Sequence, residues 1–93
     1  MIVGTCSIKL RIFETFSLKE KRQVIKSVIG RLKSRFNISV AEIDLHDNWQ
    51  IAMIGFACVT NNTKHANETI SKVLRFIDAD SRIEIIDSNI ELL

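Results

Sequence analysis

Residues 17–36 read SLKEKRQVIKSVIGRLKSRF. Ser17, followed three residues later by Glu20, forms a capping box, in which each side chain accepts from the other residue's free backbone N–H. Ile25, Val28, Ile29, Leu32 and Phe36 then recur at helical spacing and make one apolar stripe. The segment is therefore expected to be a helix that lays this stripe on a sheet.

The flanking sequence supplies that sheet. Residues 2–13 alternate, with Ile8, Leu10 and Ile12 on one face and Ser7, Lys9 and Arg11 on the other, as in a half-buried strand. Residues 38–46 read as a second strand, with Ala41, Ile43 and Leu45 inward and Val40, Glu42, Asp44 and His46 outward. Asp47-Asn48 brings turn chemistry. Residues 50–60 are apolar on both faces, which suits a central strand. Ala66, Ile70, Val73 and Ile77 mark a second helix over about 63–78, and a last strand runs through Ile83 and Ile85. The order is βαββαβ. Two right-handed crossovers joined by a central hairpin give an α+β ferredoxin-like sandwich, a four-stranded antiparallel sheet with both helices on one face.

The 93 residues, 46% hydrophobic and 26% charged, suit one domain spanning 1–93. The longest apolar run, Ile51 to Val59, has nine residues, well short of the about 20 that a membrane span needs. No basic segment followed by an apolar core opens the chain, so the expected setting is cytoplasmic, without membrane attachment. In such a reducing setting Cys6 and Cys58, far apart and without metal-ligand spacing, read as small buried hydrophobes.

Charge is the informative feature. The net charge is only +2, but residues 17–36 carry seven basic residues against Glu20 alone. The rest of the chain holds six basic and ten acidic residues. At about 100° per residue, Lys19, Arg22, Lys26 and Lys33 fall within an arc of about 60°, with Arg31 and Arg35 on the opposite flank. Lys19, Lys21 and Arg22 crowd the start of the helix, where a cation is disfavoured by roughly 0.3–1 kcal/mol. A helix N-terminus carrying Ser17 and these cations, continued by Lys26 and Lys33, has the composition of a phosphate-binding surface. The alternative is that these are good helix formers on a solvated face.

Other chemistries find less support. Gly55-Phe56-Ala57-Cys58-Val59 partly matches the RNA-recognition signature on a third strand, but the preceding basic residue and later aromatics are missing. Phe56 shares its face with Ile54 and Cys58 and is expected in the core, so any RNA contact should be electrostatic or shape-based, without a base-stacking platform. Glu42, Asp44 and His46 share a strand face but offer one imidazole, too few ligands for zinc, and no cofactor is implied. Acylphosphatases share the fold and use an arginine loop after the first strand; here that loop is Glu14-Thr15-Phe16-Ser17. With no nucleophile–base pair identifiable, the reading is non-enzymatic. Trp49, the single tryptophan, sits at the hairpin as an anchor or an interaction residue. An open sheet face carrying Val3, Val40, Ala57 and Ile86 would suit pairing with a second copy.

Met1-Ile2-Val3-Gly4, Ser17-Leu18-Lys19-Glu20-Lys21-Arg22, Phe36-Asn37-Ile38-Ser39-Val40-Ala41-Glu42 and Asp47 with Trp49-Gln50 together resemble the YlxP-like family, a bacterial domain of unknown function. The resemblance covers essentially the whole chain and implies the ferredoxin-like fold independently of periodicity. It also implies a small bacterial protein, often encoded beside translation-initiation and ribosome-maturation genes. His46 stands where glutamine is usual, and Phe13 where many members have proline or a small residue. The resulting expectation is a binding protein for RNA or the ribosome, acting through Lys19, Lys21, Arg22, Lys26 and Lys33. The alternative is a homodimeric structural or regulatory module that binds no nucleic acid.

Overall fold

The structure is a computed structural model and describes residues 1–93. Its elements run β1 (Ile2–Ile12), α1 (Leu18–Arg35), β2 (Ser39–Asp44), β3 (Ile51–Thr60), α2 (Thr63–Asp78) and β4 (Ile83–Leu92). The strands form one antiparallel sheet in the order β2-β3-β1-β4. α1 lies over β2, and α2 over β1, β3 and β4.

Alternation in the sequence translates directly into layers. Ile8, Leu10 and Ile12 of β1 and Ala52, Ile54, Phe56 and Cys58 of β3 all point under the helices and are buried. Ile25, Val28 and Leu32 of α1 and Ala66, Ile70, Val73 and Ile77 of α2 meet them. Each Val, Leu, Ile or Phe side chain among them contributes roughly 1.5–3 kcal/mol by leaving water. α2 comes in close because Gly4 carries no side chain; a Cβ there would stand 3.2 Å from both Cys58 Sγ and Ile70 Cδ1. Asn62 caps α2 by accepting from the N–H groups of Lys64 and His65. Both cysteines are free and buried, and burial pushes the Cys6 thiol up against a smaller opposing effect of the Asn89 backbone.

Strand β2 has the opposite phase to the one its alternation suggests. Val40 is buried opposite Phe56, and Glu42 faces the helix layer opposite Ile54. Ala41 and Ile43 lie on the open face instead, with Ile43 51% exposed. The register breaks between Glu42 and Asp44, and Leu45 takes a positive φ of 60° that ends the strand. Two contacts explain the inversion. The carboxylate of Glu42 has a cationic partner beneath α1, and Ile43 covers Gly55, whose missing side chain leaves it room. A second irregularity, between Lys9 and Leu10 of β1, falls opposite Ile86 of β4.

The loop after α2 is fixed by charge. Arg82 donates to Asp80 through Nε (3.0 Å) and Nη2 (2.7 Å), and to Ser27 Oγ on α1 (3.2 Å). The hydrogen bonds from Arg82 hold the Asp80 carboxyl below its ordinary value against the opposing effect of burial. A depressed folded value means that this contribution to stability is complete above the usual aspartate range near about 4 and is lost as pH falls through the lower folded value. Asp80→Asn should therefore lower stability at neutral pH and flatten the acid limb of the stability–pH curve. Urea titrations at pH 7 and pH 3 test this; an unchanged acid limb would assign the acid loss to other carboxylates.

Candidate nucleic-acid interface

The seven cations of residues 17–36 go to three destinations. Lys21 is fully buried. Its ammonium donates to the Leu45 carbonyl at 2.8 Å and stands 2.9 Å from Glu42 Oε2. The hydrogen bond is aimed at the carbonyl; the carboxylate contact is a charge pair without hydrogen-bond alignment, and Oε2 has no other partner. Lys21 is thus corrected from a surface phosphate contact to an internal tie between α1 and the end of β2. Arg31 and Arg35 turn towards α2, with their guanidinium carbons 5.4 and 5.1 Å from the Phe76 ring centroid. Arg31 also lies 3.7 Å from Asp80, and Phe36 meets Phe76 edge-on at 5.7 Å.

Lys19, Arg22, Lys26 and Lys33 remain exposed, and no carboxylate stands within 4.0 Å of any of them. They share the flank of α1 turned away from α2, along the β2 edge of the molecule. At about 1.5 Å per residue this strip is about 21 Å long. It continues no deep pocket, so it is a surface suited to an extended polyanion.

The end of α1 differs from the expected anion cradle. Ser17 Oγ accepts from Glu20 N–H at 3.2 Å, as a capping box requires. The carboxylate of Glu20, however, accepts from Phe16 N–H at 2.8 Å, one residue before the cap. The chain's own acid group thus occupies the helix terminus, and Ser17 is a cap whose hydroxyl is already engaged. A cleft of about 840 Å³ lies on the α2 side of this turn and includes Glu14, Thr15, Glu20 and Arg82. Two carboxylates and an arginine already tied to Asp80 do not suit a phosphate.

Hydrogen bonds draw the surrounding loops together. Thr15 donates its hydroxyl to the Trp49 carbonyl at 2.9 Å, and Ile12 N–H donates to the Gln50 carbonyl at 2.8 Å. The backbone of Trp49 is thus the hairpin anchor, while the residue as a whole stays 40% exposed. The polar trio of β2 disperses. Glu42 turns to Lys21, Asp44 Oδ1 accepts from Leu45 N–H, and His46 Nε2 lies 3.2 Å from the Glu42 carbonyl oxygen. Phe56 is buried in the core, 3% exposed, so the sheet presents no aromatic there.

The family model described as "Protein of unknown function (DUF503)" matches residues 3–90. The chain belongs to the DUF503 family. "Uncharacterized protein YlxP" of Bacillus subtilis (strain 168) is 35% identical to this family member over 83 residues, which cover 89% of the chain and 90% of the relative. Among solved structures, a dimeric ferredoxin-like protein from an uncultured marine organism aligns with all of the chain and 96% of its own, at 12% identity and a TM-score of 0.49. The element order and the antiparallel sheet of this chain are those of a ferredoxin-like sandwich, and its α1 carries a basic strip.

Proposed function

We propose that this DUF503 protein is a non-enzymatic binding module whose α1 strip receives the phosphates of RNA, in a translation-related setting such as the ribosome. The observation carrying this reading is that Lys19, Arg22, Lys26 and Lys33 stand exposed on one flank with no carboxylate to neutralise them. Surface side chains so arranged release counterions from a polyanion, and such binding weakens as salt rises. Four contacts give log affinity against log salt a slope of about −3, a loss of about 60-fold between 50 and 200 mM salt. Fluorescence anisotropy of labelled RNA across that range measures it; a salt-independent affinity would reject the strip as the site.

The open sheet face favours a second reading, a homodimer with a structural or regulatory role. Val59 is 68% exposed and Ile43 51%, beside Val3, Met53 and Ala57. Val40, buried on the other face, is not part of this surface. Strands about 33 Å long at about 4.8 Å spacing present roughly 600 Å² per copy, near the lower limit for a stable pair. Light scattering on the wild-type chain should then report twice the mass of one chain, and Ala57→Arg should return a single-chain mass. A single-chain mass for the wild type at high micromolar concentration would reject the dimer.

A further inference from the structure

We infer that the strip takes single-stranded rather than duplex RNA, with unpaired bases stacking on Phe16 and Trp49; this rests on the RNA reading above. Phe16 is 78% exposed and Trp49 40% exposed. Neither ring has an aromatic or cationic partner, since the ring pair and both cation–ring contacts of the molecule involve Phe76. An apolar residue directly before a helix cap ordinarily packs on the residue four positions into the helix. Here that position is Lys21, whose side chain is buried towards Leu45 and Glu42, and Phe16 stays in water. Phe16 thus lacks the local role that usually accounts for an apolar residue at this place.

The two aromatics stand at the start of the basic strip. Phe16 precedes Lys19 by three residues, and the Trp49 carbonyl accepts from Thr15, next to Phe16 in the chain. The hairpin bearing Trp49 continues β2, the strand beneath α1, and Lys21 ties its first residue to α1. One end of the domain therefore carries Phe16 and Trp49, and Lys19, Arg22, Lys26 and Lys33 lead away from that end along α1. Aromatic faces beside a line of cations match a strand whose bases are free, because paired bases expose no face for stacking. The sheet, with Phe56 buried, takes no part, so this platform differs from the one used by RNA-recognition modules.

Trp49 is the only tryptophan, which makes its fluorescence a direct report. The probes are an oligoadenylate of about twelve nucleotides and an RNA duplex of about the same length. The single strand should quench Trp49 emission on binding, and the duplex should not. Phe16→Ala should weaken the single strand by about fivefold to a hundredfold while leaving the salt slope intact. Trp49→Phe should retain more affinity than Trp49→Leu, with circular dichroism confirming that both are folded. Equal, salt-dependent binding of strand and duplex without quenching would overturn the stacking proposal and leave the phosphate strip standing. Wild-type affinity in Phe16→Ala would overturn it equally. Absence of binding by either RNA would overturn both.

Discussion

Lys21→Ala destabilises the domain by about 3 kcal/mol, a fall in melting temperature of roughly 12–20 °C for a chain of this size. The ammonium is wholly buried, and its removal leaves Glu42 beneath α1 without a counter-charge and the Leu45 carbonyl without its donor. Breaking a buried pair costs about 3–5 kcal/mol; the lower end applies because the Glu42 side chain keeps 16% of its exposure and can turn to water. Glu42→Leu should cost at least as much, since the ammonium it strands has no exposure at all. Lys21→Met with Glu42→Leu should return to within about 1.5 kcal/mol of wild type, because two apolar side chains of similar volume strand no charge and only the Leu45 carbonyl is left without its donor. Urea midpoints at constant m-value measure all three variants. Additive losses in the double variant would show that the two side chains act separately.

The place of Lys21 was legible in residues 17–36. Lys21, Ile25, Val28 and Leu32 stand at i, i+4, i+7 and i+11, so the lysine falls in the middle of the buried stripe. Its charge, taken alone, groups it with the surface cations instead. The phase of β2 was not legible in the same way. A six-residue edge strand with Val40 in one phase and Ala41 and Ile43 in the other has no decisive alternation. Its orientation is settled by Lys21, 21 positions before Glu42, and by Gly55 on the neighbouring strand. Long elements with one stripe, such as α2 from Thr63 to Asp78, need no such help, and their limits follow from Asn62 and the apolar spacing.

The surface role of the strip separates from any structural one by the sign of two effects. Replacing Lys19, Arg22, Lys26 and Lys33 by glutamine keeps helix propensity nearly constant and leaves the buried Lys21–Glu42 pair untouched. Stability should stay within about 0.5 kcal/mol of wild type, as for surface changes away from packed groups. RNA affinity should fall about a thousandfold at 100 mM salt, because a slope near −3 over the decade to 1 M salt carries that much of the binding constant. The residual slope should approach zero, and each single change should reduce it by about 0.7–0.9. Lys19→Glu sharpens the contrast, because a carboxylate in the first turn of α1 stabilises the helix by about 0.3–1 kcal/mol while repelling phosphate. A domain that melts higher and binds RNA more weakly is the expected outcome. If the first turn served only the fold, Lys19→Glu would raise the melting temperature and leave the anisotropy titration unchanged.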